Sequence, residues 1–530
     1  MFDKKLDWRR FVGLMIVGTF VVGAVSCAPP QVAAPQPVAP TEAPPPRTSA
    51  VYAASADPVT FDPQKCAGGA CIDAYEHVYE GLTRFDRNAN VEPCLAESWE
   101  NPDPLTWIFN LRQGVKFHNG EELTADDVKF SIDRVLDPET GSSYKSFFDA
   151  ITEVTVVDKY TIQLTLSKPF VAILAHFATE RGGGSIVNKA WAEEQLAGGV
   201  TELASVAVGT GPYKLVEYVP GDYFKLERHE DYWEEGRPKI DDVTWKILTD
   251  PTARVEALRT GTVDFAELDA VSIKQLENAP NVSTFTVPGF GMPVLIFNLR
   301  REPWSDKRVR QAIAMGTDRQ EMIDKAWGGE GSLTGPIQHG WANWYLPVDE
   351  LPYEVDIEGA KALLAEAGYP DGFETTLLGL DLTTYTDVGV IAQAQLERIG
   401  IKAKLEQTEV GAWLDLIQAY DFEVHVNGYG SGNDPDSVIG RSYVTGSTGN
   451  FSGYSNPEFD ELREKQLAEP DPVKRAEIIH EMQRMLLDDA PTIWYGTRSD
   501  YYAVTDRLKG FEPSITPYRK EPLKDVYIEG

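Results

Sequence analysis

The chain has 530 residues, 42% of them hydrophobic and 25% charged, enough for two or more packed lobes of ordinary globular composition. Its formal net charge of −33 argues against a nucleic-acid partner, because phosphate contacts need clustered Lys and Arg. The same charge favours a soluble, dispersed monomer.

Taken in chain order, the first feature is an address. "MFDKKLDWRR" places Lys4, Lys5, Arg9 and Arg10 ahead of sixteen uncharged residues, "FVGLMIVGTFVVGAVS". A basic segment followed by a short apolar one reads as an export signal. It is shorter than the roughly 20 residues that span a bilayer. Residues 1–26 are therefore expected to be a signal peptide ending at Cys27, after Ala24-Val25-Ser26. This end resembles a bacterial lipobox, in which the Cys is lipidated, although Leu is commoner than Ala at the position of Ala24. Eight of the 22 residues from 28 to 49 are Pro. Residues 27–50 are thus expected to form an extended tether. Of the remaining cysteines, Cys66 and Cys71 suit a small loop staple, which export permits. Cys94 is left as a buried small hydrophobe.

From residue 51 strands and helices alternate irregularly, which predicts an α/β or α+β class. "TWIFNL" (Trp107, Phe109, Leu111) and "YTIQLTL" (Ile162, Leu164, Leu166) have the period of half-buried strands. "YKLVEYVPGDYFKLER" predicts a hairpin turning at Pro220-Gly221-Asp222. A helix is expected after Thr124, with Asp127 completing a capping box and Val128, Ile132 and Val135 on one face. Thr317 and Gln320 suggest a second capping box. "VKRAEIIHEMQRMLLDDAP" predicts a helix burying Val473, Ala476, Ile479, Met482 and Leu486. Residues 330–352 read as a loop, and its Trp341 and Trp344 are candidates to line a binding cleft.

Motifs of catalysis are missing. There is no G-x-S-x-G elbow and no phosphate loop. The His residues at 229 and 480 each begin a zincin-like pattern without completing it, so no metal and no cofactor is expected. "GYGSGNDPDSV", residues 428–438, follows a strand but lacks the third Gly of a dinucleotide site. Its composition also suits a plain turn.

Residues 95–138, "LAESWENPDPLTWIFNLRQGVKFHNGEELTADDVKFSIDRVLDP", resemble the signature stretch of the family 5 extracytoplasmic solute-binding proteins of ABC importers, the peptide/nickel type. The likeness continues through residues 209–267 and 297–327 and on to the C-terminus. It implies a two-lobed, periplasmic-binding-protein-like clamp of the type II class. Lobe I would comprise 51–292 plus 495–530, with an extra subdomain at about 86–205, and lobe II would run from 293 to 494. The resemblance further implies a protein that performs no reaction. It would capture a solute, by family default a peptide, and hand it to permease subunits in the membrane. Membrane contact would run through the lipid anchor, at the periplasm or the outer cell face. An oligosaccharide is the alternative ligand, and an exported hydrolase the alternative class.

In dipeptide- and oligopeptide-binding relatives the loop ahead of the "DPD"-like motif faces the ligand. The resemblance thus implies Gly428, Tyr429, Gly430, Ser431, Asn433 and Asp434 as ligand-binding positions, with Asp434 either an acceptor or a helix cap. From lobe I it implies Gly69, Ala70 and Cys71. Relatives that bind dipeptides carry an Asp for the ammonium and an Arg for the carboxylate. Here Ser431 stands at the Asp position, and Arg398, deep in a helix, is a poor match for the Arg. A buried ammonium without a partner costs several kcal/mol. An oligopeptide held by its backbone is therefore expected rather than a free dipeptide.

Overall fold

The structure, a computed structural model, describes residues 47–66, 68–179, 183–198, 207–289, 291–338, 340–341, 343–381, 383–429, 432, 434–513 and 523–529. The signal, Cys27 and the tether as far as Pro46 lie outside the described residues. The first strand begins at Ser49, two residues before the expected start, and side-chain pairing begins at Arg47. The guanidinium of Arg47 bonds Asp242, and strand Ser49–Ala54 runs parallel to both Asp242–Ile247 and Phe265–Leu268. Buried on both faces, it is the central strand of a sheet ordered Val282–Pro288, Thr497–Thr505, Phe265–Leu268, Ser49–Ala54, Asp242–Ile247, Tyr223–Arg228, Tyr213–Val219. The last two strands are the expected hairpin, turning through Gly221 at φ 77°.

A four-stranded antiparallel sheet follows its own order: Ala96–Asp103, Thr106–Leu111, Thr161–Leu166, Ile151–Asp158. Trp107, Phe109 and Leu111 alternate inward from the second strand, as do Ile162, Leu164 and Leu166 from the third. Helix Ala125–Leu136 packs on this sheet. Its capping box at Thr124 and Asp127 is formed, and Val128, Ile132 and Val135 are buried.

The third sheet is ordered Ile401–Thr408, Phe373–Leu380, Val424–Tyr429, Met292–Phe297, Thr492–Trp494. Helices Lys307–Gly316, Arg319–Ala326, Ile357–Glu366 and Thr383–Arg398 help to cover it. The second capping box is corrected. Asp318 caps the helix by accepting from the Glu321 amide. Thr317 instead ends the preceding helix, its hydroxyl donating to the Ile313 carbonyl at 2.7 Å. The long helix Pro472–Asp489 buries Ala476, Ile479, Met482 and Leu486, but Val473 in its first turn is exposed.

The first and third sheets have separate apolar cores, as a two-lobed α/β clamp requires. The chain passes between them between Pro288 and Met292 and again between Trp494 and Thr497. The crossings lie side by side. The Gly289 amide donates to the Arg498 carbonyl at 2.8 Å, and the Arg498 amide to the Gly291 carbonyl at 3.3 Å. The two halves also touch elsewhere. Ala89, at the tip of the hairpin Thr83–Phe85/Val91–Pro93, is buried in the cluster that holds Met292, Ile337 and Trp341. The Val171 amide donates to the Leu467 carbonyl at 2.9 Å.

Candidate functional site

Strand direction locates the site. Ser49–Ala54, Asp242–Ile247 and Phe265–Leu268 are mutually parallel and end at the crossings. Phe373–Leu380, Ile401–Thr408 and Val424–Tyr429 are likewise parallel and end on the facing edge. Ligands of open α/β sheets bind outside the carboxyl ends of the strands. Here two such edges face one another across the crossings.

Strand Val424–Tyr429 ends at this space, and beyond it the chain is anchored at Asp434. Asp434 is buried, and its two oxygens accept from Arg475 Nη1 and Nη2 at 2.7 and 2.6 Å. Asp434 Oδ1 also accepts from the Asp436 amide at 2.9 Å. Asp436 in turn receives Arg463 through Nε and Nη2, at 2.9 and 2.8 Å, and Gln466 Nε2 at 2.9 Å. Gln466 closes the network by accepting from Arg475 Nε at 2.9 Å. Arg463 and Gln466 are three apart on helix Pro457–Ala468 and so share a face. Arg475 comes from the helix that follows. Gly440 is required here, since a Cβ on it would run into the Asp436 carboxylate. Burial pushes the Asp434 carboxyl up, but Arg475 outweighs it and holds the group below the usual range. His176, from the opposite half, pulls in the same direction.

The expected ligand positions fare differently. Gly430, Ser431 and Asn433 lie outside the described residues. Asp434 is committed to Arg475 and to the turn Asp436–Gly440 rather than left as an open acceptor. Gly428 lies directly beneath the Tyr385 hydroxyl, which occupies the place a Cβ would take. The Tyr429 ring packs edge-on against Tyr443 in its own lobe, the ring centroids 6.0 Å apart, and burial pushes its phenol up. Trp341 is 1% exposed and belongs to a core cluster, so it fastens its loop instead of lining a cleft. Trp344 is half-buried, with the Arg475 guanidinium 5.2 Å from its ring and its carbonyl accepting from Gln483. The Trp341 ring is thus covered by protein, while Trp344 and Tyr429 are half-buried against the same core cluster.

In lobe I, Cys71 is bridged to Cys66, and Gly69 and Ala70 open the helix Gly69–Tyr75. The stretch before them is fastened from several sides. Asp62 pairs with Arg134, Gln64 Nε2 donates to the Ser131 carbonyl at 2.9 Å, and Tyr144 Oη donates to the Cys66 carbonyl at 2.8 Å. A Cβ on Gly69 would meet nothing within 4 Å, so this glycine is not demanded by a close approach. Cys94 is buried outside any disulfide, its Sγ donating to Glu80 Oε1 at 3.9 Å.

Several residues at the site were not singled out from the sequence. Arg475 and Arg463 anchor the loop from 41 and 27 positions away, and no local pattern marks them. Tyr385 and Arg498 stand at the crossings. Arg398, the one base weighed as a carboxylate anchor, is paired instead with Glu321 at 2.6 and 2.7 Å.

Residues 90–451 match the family described as bacterial extracellular solute-binding proteins, family 5 Middle. The chain belongs to this family of solute-binding proteins. Heme-binding protein A of Haemophilus influenzae is 30% identical over 513 residues, covering 91% of this chain and 92% of that protein. The dipeptide-binding protein of Escherichia coli is 28% identical, covering 90% and 94%. Among solved structures, HbpA2 from Haemophilus parasuis matches with TM-score 0.82 and 27% identity, covering 91% of this chain and all of that one. DppA from Helicobacter pylori, in complex with peptide STSA, matches with TM-score 0.75 and 27% identity, covering 91% and 99%.

Proposed function

We propose that this protein is the substrate-binding component of an ABC importer. It captures an oligopeptide between its lobes, leaves it chemically unchanged and delivers it to a membrane permease. The observation that carries this reading is the pair of facing carboxyl edges, joined by two adjacent crossings, with Asp434 anchored beside them by Arg475. Relatives named for dipeptide, di/tripeptide and glutathione binding support a peptide as the solute. So does the Helicobacter pylori structure that holds a tetrapeptide. An oligopeptide is favoured over a free dipeptide because Asp434 and Asp436 are already held by guanidinium groups. Neither is left to receive a dipeptide ammonium. An oligosaccharide fits less well, since Trp341 and Tyr429 turn their rings into the lobe. Lipidation at Cys27 would hold the protein at the outer face of the membrane.

Thermal shift tests this reading. Peptides of two to six residues and a set of oligosaccharides are added at concentrations far above their dissociation constants. A ligand at about 100 Kd adds about 2.7 kcal/mol. Stabilisation by tripeptides and longer peptides, saturating at one per chain without turnover, is expected. Stabilisation by sugars alone, by free dipeptides alone, or any hydrolysis of the bound peptide would overturn it.

A further inference from the structure

We infer that one arm of lobe I, made of the hairpin Thr83–Phe85/Val91–Pro93 and residues 171–178, is a latch: its contacts with lobe II at Ala89 and Val171 hold the clamp shut and set how much of the protein stands open before any solute arrives. This goes beyond the peptide reading and does not depend on which solute is carried. The hairpin tip makes the first contact, and Asp86 builds that tip. Its amide donates to the Asn90 carbonyl at 2.8 Å, and the Ala89 amide donates to the Asp86 carbonyl at 3.1 Å. The Asp86 carboxylate accepts from the amides of Asn88 and Asn90, both at 2.8 Å, and from Asn90 Nδ2 at 3.0 Å. Ala89 takes φ 63°, the left-handed conformation for which a hairpin loop ordinarily uses glycine. The methyl group is therefore held against the local preference of the turn. Arg87, Asn88 and Asn90 are exposed, as a hairpin tip should be, yet Ala89 among them is only 3% exposed. What covers it is the apolar cluster of lobe II that includes Met292, Ile337 and Trp341.

The second contact is a backbone hydrogen bond, from the Val171 amide to the Leu467 carbonyl at 2.9 Å. Leu467 lies in the last turn of helix Pro457–Ala468, where carbonyls have no partner within the helix. Its neighbour Gln466 donates to Asp436 at 2.9 Å, so the contact lands on the helix that holds the turn after Asp434. The two contacts are carried by one body. The Thr83 hydroxyl donates to the Leu174 carbonyl at 2.6 Å, and Thr83 also forms a parallel bridge with Ala178. Phe85 packs with Ala175 and Ala178, and Val91 lies against them. Hairpin and residues 171–178 thus move together, and lobe II is gripped at two points or at neither. Both contacts join the lobes away from the crossings, so they part when the clamp opens. Opening returns the Ala89 methyl and two backbone groups to water, and that cost weights the balance toward the closed form.

The test needs no ligand. Ala89→Cys and Asn88→Cys are each labelled with a maleimide in the full chain, the label is read on the peptide that carries it by mass spectrometry, and each rate is referred to that of the urea-unfolded protein. Position 89 reacts only while the latch is open, so it should react at least about fivefold more slowly than position 88. Small-angle scattering then compares the wild type with Ala89→Asp and Asn88→Asp. Asp tolerates the left-handed turn but not an apolar seat, so Ala89→Asp should keep the fold and shift the radius of gyration upward. Asn88→Asp adds the same charge one residue away and should leave the radius unchanged. Equal labelling at 88 and 89, an unchanged radius for Ala89→Asp, or the same increase for Asn88→Asp would overturn the latch. Failure of every peptide to bind would leave these readouts untouched, so the latch and the peptide reading are tested apart.

Discussion

Asp434→Ala is the most informative single substitution outside the cleft floor. It removes the acid from a bidentate pair whose side chains are only 4% and 6% exposed. Arg475 would keep the Gln466 side chain at 2.9 Å and the Trp344 ring at 5.2 Å, but would lose the carboxylate that bonds both its terminal nitrogens. Breaking a buried pair from one side costs about 3–5 kcal/mol, because a charge is left uncompensated. For a cooperative lobe of about 200 residues, at about 2.1 cal/mol/K per residue, that is a fall in Tm on the order of 7–12 °C. Scanning calorimetry resolves it, with the loss confined to one transition if the lobes unfold separately. Asp434→Leu combined with Arg475→Met removes both charges and should recover most of the loss. A fall below about 2 °C for Asp434→Ala, or a double variant as unstable as the summed single ones, would refute the claim that this pair anchors the loop.

Acid should weaken the fold through buried histidines. Burial holds His118 and His425 down to about 3. In the unfolded chain they titrate near pH 6.5, so between about pH 6.5 and 3 the unfolded state binds protons that the native state refuses. Their contribution is complete above about pH 6.5 and falls on acidification by up to about 1.4 kcal/mol per pH unit for each group. His425→Phe, placed among Trp413, Phe422 and Phe451, should flatten the dependence of Tm on pH between about 6 and 4; an unchanged slope contradicts this. Gly428→Ala should displace Tyr385 and weaken ligand binding, and adding Tyr385→Ala should restore the fold's stability but not the affinity; a harmless Gly428→Ala would show that the close approach is unimportant. Cys27→Ser should release the protein from the membrane fraction, and continued attachment would count against lipidation there.

Much of the architecture was legible because it is written in local pattern. The strands around Phe109 and Leu164 declare themselves by alternation, the hairpin by Gly221, and the helix after Thr124 by its capping box. Where two polar residues compete for one local role, pattern is a poorer guide. Thr317 and Asp318 are neighbours, and only the end of the preceding helix decides that the hydroxyl turns back while the carboxylate caps. The candidate site was legible as a stretch of chain and illegible as chemistry. Residues 428–438 were singled out, but whether Asp434 is open or occupied depends on Arg475, a partner 41 positions later. Trp341 reads as a cleft aromatic from its loop and proves to be buried, because burial is a property of the packed lobe.

Closure of two lobes about an unaltered solute is measured most directly by fluorescence transfer between the lobes. Val216 and Val390 are exposed on opposite lobes and can carry the labels as cysteines, with Cys94 buried. Titration with a stabilising peptide should raise the transfer efficiency to a plateau at one peptide per chain, and the peptide recovered afterwards should have its original mass. Saturation of binding with no change in transfer, or recovery of a cleaved peptide, would contradict the account.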